Sequence, residues 1–360
     1  MTKLEFKPNL ADTERRFAAF FQGEMIDRPI VRVTAPLDEG KTPHWVNSQE
    51  YYGKVSGDID ALIDRAIAAA SNTFYGGEAT PVFDPSLGPD EIAVYCGGEL
   101  GWSENAGGGR IQTNWSKPVV TDWESFLPIK LDEENFLWKR LMEIYRRAAE
   151  RMEGRMLLSP PDLHTNMDLL AALRGPEDLC ADLYDAPEMI DRAMLSARAV
   201  FPEIWKAVSA AGRMDASGYG SGFYSKAGGA VLQCDFSCMI SPAMFNRWVL
   251  PALEEEAEIV KHACYHWDGP GALVHFDALV ASKGLHTLSY VPGEGNGDPV
   301  NHLDLYKRIQ DGGKAVAVWG SPDEIKFMHK TLKPNKTMYI TGTKTRGEAE
   351  ALLKWFVKNT

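Results

Sequence analysis

The chain has 360 residues, a formal net charge of −12, 44% hydrophobic residues and 24% charged residues. No Lys/Arg block supplies the basic stripe that nucleic acid binding needs, and no run of about 18 apolar residues could cross a bilayer, so neither nucleic acid nor membrane is expected as a partner. The opening MTKLEFKPNLADTERRF lacks an apolar h-region and a small-residue cleavage site, which predicts a cytoplasmic location.

In chain order, the pattern predicts a helix over residues 13–22 and a first strand over 27–35, DRPIVRVTA. From 36 to 122 the rhythm breaks. Gly, Pro, Trp and Tyr crowd this segment, and GELGWSENAGGGRIQTNW reads as hairpin strands, so a β-rich insertion over the mouth of the fold is expected. Its aromatics, among them Trp45, Tyr51, Tyr75 and Trp115, are candidates to wall an apolar pocket. A helix over 133–152, a strand over 155–159 (RMLLS), a helix over 167–173 and a helical pattern over 177–211 follow. A strand over 230–240 (AVLQCDFSCMI) then leads into a helix capped by Ser241-Pro242 and running to about residue 261.

The last third is the most regular. Leu285–Val291 (LHTLSYV), KAVAVW at 314–319 and TMYI at 337–340 are short apolar strands, each followed by a loop and a helical pattern. Such alternation predicts parallel βα units, whose strands read as continuous apolar runs because both faces are buried. The expected architecture is an α/β (β/α)8 TIM barrel, a single domain over 1–360 with the insertion at about 36–122. Five cysteines without a CxxC pair argue against a disulfide framework, and Cys96 and Cys180 read as small buried hydrophobes.

Side chains just after the strands of such a barrel face the active site. Strand alternation puts His266 and Asp268 of YHWDGPG on one side, where they could share a metal or a proton, although Asp268 would also suit a helix cap. Asp235 lies in an otherwise apolar strand, where a lone carboxylate must be paired or functional. Asp162 and His164 follow RMLLS and are candidate substrate contacts; Glu294 lies on the post-strand loop GEG. His275 and Asp277 sit inside the following helix and read as structural.

These segments carry a resemblance. ERRFAAFFQGEMIDRPIVRV looks like the opening of the uroporphyrinogen decarboxylase superfamily, in which a helix, a Gly-containing turn and Asp-Arg-Pro lead into strand one. PPDLHTNMDLLAALRG followed by PEDLCADLYDAPEMI resembles its central segment, and Asp235-Phe236 with MISPAMF resembles its strand-end Asp before a Ser-Pro-capped helix. His266-Trp267-Asp268-Gly269 resembles its His-x-Cys-Gly strand end. The resemblance spans nearly the whole chain and implies the barrel fold with one of two chemistries, decarboxylation of uroporphyrinogen or zinc-dependent methyl transfer involving corrinoid proteins.

Arg32-Val33-Thr34-Ala35-Pro36 stands where the decarboxylases have Arg-Gln-Ala-Gly-Arg, so uroporphyrinogen itself is not the expected substrate. The methyltransferase branch places zinc on His-x-Cys and a later Cys, positions that fall on His266, Asp268 and near Thr343. A His/Asp pair can still take Zn2+, but the loss of both thiolates removes a soft site. Aligning His262-x-Cys264 instead would retain one Cys but mis-space the next helix.

The resemblance therefore implies a methyltransferase acting on a small methoxylated or methylamine-type compound. His266 and Asp268 would bind metal or polarise the substrate, and Asp235 and His164 would orient it. A separate protein would carry the corrinoid, because no Asp-x-His-x-x-Gly cobalamin segment is present. The alternatives are a metal-independent lyase or decarboxylase using His266 and Asp268 as an acid/base pair, or a binding protein that has lost catalysis.

Overall fold

The computed structural model describes residues 3–37, 51–102 and 114–360. Strand β1 is Ile30–Pro36, followed by β2 (Thr73–Gly77), β3 (Val82–Phe83), β4 (Glu99–Trp102), β5 (Asn114–Lys117) and β6 (Leu157–Leu158). Next come β7 (Tyr219–Gly220), β8 (Tyr224–Ser225), β9 (Ala230–Gln233), β10 (Ala263–Asp268), β11 (Leu285–Val291), β12 (Ala315–Trp319) and β13 (Thr337–Gly342). The main sheet has seven strands in the order β2-β1-β13-β12-β11-β10-β9, all parallel except β2, which runs antiparallel to β1. A second sheet has the order β3-β6-β7-β8, and β4 and β5 form an antiparallel pair. The class is α/β, with helices following the parallel strands.

The strands have two buried faces, as their apolar runs require. Tyr265 and Trp267 of β10, Leu288 and Tyr290 of β11 and Val316 and Val318 of β12 pack in the large core beneath the helices. The opposite face forms a second core that draws from both sheets: Ile30, Leu157, Cys264, Ala315, Ala317 and Met338. Leu10, Phe17 and Phe20 of the helix Leu10–Phe21 join it beside the first residues of these strands. The candidate residues therefore lie at the other, C-terminal ends.

Two expectations are corrected. The insertion expected to be β-rich over 36–122 is also helical: among the described residues it forms the helices Tyr51–Ser56, Ile59–Ser71 and Glu91–Tyr95 and supplies β2 and β3 to the two sheets, while β4 and β5 make the expected hairpin pair. The predicted strand over 230–240 ends at Gln233, and Asp235–Met239 is a 3-10 helix, because Asp168 accepts the amide protons that would extend the ladder. Trp45 lies outside the described residues.

One buried ion pair ties the N-terminal region together. Glu78 accepts two bonds from Arg28, at 2.6 and 2.7 Å, and a third from the Val31 N–H at 2.9 Å. Arg28 and Glu78 are 7% and 2% exposed, so removing one partner strands a buried charge. Glu78→Ala should cost about 3–5 kcal/mol, read as a lowered denaturant midpoint at unchanged slope.

Candidate functional site

Alternation along β10 stacks Cys264, His266 and Asp268 on the inner face, with Cys264 in the inner core and His266 and Asp268 nearer the strand end. His266 Nε2 lies 3.9 Å from Asp235 Oδ1 and 4.0 Å from Asp268 Oδ1. Asp268 is not a cap: Gly269, at φ +73°, precedes the turn Pro270–His275, which has no side-chain cap. Its carboxyl is held above the usual range by burial and by Asp235, with His266 opposing.

Asp235 enters from β9, and its position is set by a residue absent from the sequence-based candidates. Asp168, in the first turn of the helix Asn166–Arg174, accepts the Asp235 N–H at 3.0 Å and the Phe236 N–H at 2.9 Å. Two more bonds join the same loop to β9. Asn166, at φ +47°, donates to the Gln233 carbonyl at 3.1 Å, and Gln233 Nε2 donates to Asp162 Oδ1 at 2.5 Å. Asp162 is thus a partner of β9.

His164 sits inside this arrangement, 14% exposed, 3.6 Å from Asp162, 3.7 Å from Asp90 and 4.0 Å from Asp168. Burial by itself lowers the His164 pKa, but Asp162, Asp168, Asp235 and Asp90 outweigh it and raise the value to about 9. Burial raises the carboxyls of Asp90, Asp162 and Asp168, with His164 opposing in each case. Asp235 thus neighbours both histidines, and the two His/carboxylate groups form one continuous cluster.

The other predicted residues fall outside it. Glu294 is exposed on its loop, between glycines at positive φ, and among the described residues it has no ion pair to the cluster. His275 is structural as expected: it is buried, bonds to the Ser237 carbonyl at 2.8 Å and stacks on Phe245. The alternative pair His262/Cys264 is also structural, with His262 stacked on Phe21 at 3.8 Å and Cys264 in the inner core. All five cysteines are unpaired thiols, and Cys180 is half-buried rather than buried.

Two positions where the resemblance would place thiolates hold Asp268 and Thr343, and Thr343 Oγ1 donates to the Thr345 carbonyl at 3.0 Å. Among the described residues, no three His, Cys, Asp or Glu side chains are arranged to hold a metal ion. This donor set does not fit the zinc centre that the resemblance implies.

A cavity of about 490 Å³ reaches the cluster, lined by Tyr51, Asp84, Ser86, Asp162, Gly222 and Val231 among others. Trp115, by contrast, is 45% exposed. No family model matches the chain, and no curated protein matches it.

Sequence reasoning missed Asp90, Asp168 and Glu256. Glu256 accepts from Thr165 Oγ1 at 2.7 Å and so backs the His164 loop; burial pushes its carboxyl up to about 8. A carboxyl raised in the folded state contributes stability that is full below its unfolded value of about 4.3 and is lost as pH rises through about 8. Glu256→Gln removes that dependence. Its stability relative to the parent should therefore rise steadily between about pH 5 and 8, in denaturation curves taken at each pH.

Proposed function

We propose that the chain is a (β/α)8-barrel methyltransferase that moves a methyl group between a small methoxylated or methylamine-type substrate and a corrinoid carried by a partner protein. Barrel closure is supported by the inner core shared between the sheets and by a link across their edges. Val231 of β9, at one edge of the main sheet, donates to Ser221 Oγ, beside β7 of the second sheet. No helix among the described residues is long and apolar enough to cross a membrane, and a cytoplasmic location is part of this reading.

The observation that carries the proposal is His266 at a strand end, 30% exposed, with its Nε2 between Asp235 and Asp268. When the substrate's C–O or C–N bond breaks, the electron pair stays on the heteroatom, which needs a proton. His266 donates it, with Asp235 and Asp268 beside its Nε2 to position the ring. Asp162 and the cationic His164 orient the substrate from the other side of the cluster. The corrinoid, when its carrier docks at the mouth, supplies the methyl acceptor.

A second reading is favoured by the donor set. Without thiolates, the same His266/Asp268 pair suits a metal-independent lyase or decarboxylase, protonating the carbanion left by loss of CO2. Incubation with methoxylated phenols or methylamines and reduced free cobalamin as surrogate acceptor separates the two. Spectroscopic formation of methylcobalamin is the expected result; CO2 release from carboxylated candidates without methylcobalamin would select the lyase.

In either chemistry His266→Ala should leave the melting temperature within a few degrees, because the side chain faces the mouth rather than filling the core. Turnover should fall by about tenfold to a hundredfold or more, the range for losing a proton-transfer group. A variant that melts markedly lower yet turns over normally per folded molecule would remove His266 from the site.

A further inference from the structure

Among the described residues, one half-buried cation beside the site has no counter-charge. Ile30, Arg32 and Thr34 alternate onto the inner face of β1, and Ile30 belongs to the inner core. Above it Arg32 lines a cavity of about 210 Å³. Its Nε is shielded from solvent and has no hydrogen-bond partner, and no carboxylate pairs with its guanidinium among the described residues. Burial lowers its pKa to about 10, which leaves it charged at neutral pH. The group acting on it is Cys264, whose thiol is pushed up to about 12 by burial and so stays neutral. A guanidinium desolvated without a partner is costly, and an arriving anion removes that cost.

The walls say what kind of anion fits. Ala66, Ala70, Val82, Met156 and Ile340 make the lining largely apolar, which suits a hydrocarbon body rather than a bare inorganic ion. The cavity abuts the larger one, since Val82 and Gly222 line both. At Gly222 (φ +73°) a Cβ would stand 4.0 Å from Arg32 Nη1, so the guanidinium lies at the junction. The far side of the larger cavity carries Asp84 and Asp162, which repel a second anion. Charge alone therefore orients an acid with its anionic end towards β1.

We infer that Arg32 anchors the carboxylate of an organic acid whose apolar body lies along these cavities and whose opposite end faces Asp162 and His164. The facing direction rests on the proposed function; the anchoring does not. Arg–carboxylate pairing is charge-assisted and frequently bidentate, so replacing the carboxylate by its neutral amide isolates the interaction.

The experiment titrates the full chain with benzoate and hexanoate and with benzamide and hexanamide, by calorimetry and ligand-observed NMR. The acids should bind at least about tenfold more tightly than their amides. Arg32→Met should lose this preference while melting no lower than the parent without ligand, because an unpaired half-buried cation has been removed. Arg32→Lys, which keeps the charge, should retain the preference at reduced affinity if Arg32→Met does not fold. His266→Ala should bind the acids normally, so a failed catalytic reading leaves this result standing. Equal binding of acids and amides, no binding of either acid at millimolar concentration, or an acid preference that survives in Arg32→Met would overturn the proposal.

Discussion

The arrangement of the site depends on one carboxylate. Asp168 uses both oxygens, Oδ1 on the Phe236 N–H and Oδ2 on the Asp235 N–H, and so fastens the loop after β6 to the end of β9. Charge-assisted bonds of this kind are short and stronger than neutral ones. They end the β9 ladder, turn the chain into a 3-10 helix and hold Asp235 where it meets His266. The same carboxylate lies 4.0 Å from His164. It thereby ties the loop that carries His164 to Asp235, the neighbour of His266 on β10.

The cluster is an uneven distribution of charge. His164 is held as a cation by the carboxylates around it, while the carboxyls are raised by burial, so each side depends on the other remaining in place. Behind it lies Glu256, its carboxyl pushed up to about 8 by burial and bonded to Thr165. Such positioning from packed neighbours fixes side-chain geometry more tightly than a solvated loop could. Across the two adjoining cavities the polarity reverses, because Arg32 on β1 has no acidic partner among the described residues. A substrate would therefore meet carboxylates at one end and a guanidinium at the other.

How much of this could be read from sequence depends on burial. β11 has the bounds that its apolar run predicts, and β12 and β13 agree within two residues, because strands buried on both faces leave an uninterrupted apolar signature. β3, β6, β7 and β8 have two residues each, too few for any periodicity to register. His266, Asp268, Asp235, Asp162 and His164 were legible because each polar residue stands in or just after an apolar run. Asp168 was not, since an acidic residue in the first turn of a helix is the ordinary pattern for a helix start. Asp90, in GPDE, reads as a turn or cap for the same reason, and Glu256 as one of several glutamates on an amphipathic helix. What separates them from solvated carboxylates is the tertiary packing that buries them. The finer reaction class is likewise not a property of spacing, because Asp268 and Thr343 stand where the resemblance would place the residues that select it.

The loop after β6 and the ends of β9 and β10 bring two histidines and their carboxylates into one electrostatically coupled cluster. The direct measurement is an NMR titration of the His164 ring in the full chain. His164 should keep its proton to about pH 9, because the surrounding aspartates outweigh its burial. A midpoint at or below about 6.5, the value of an unperturbed histidine, would show that the aspartates do not act on it, and would contradict the cluster.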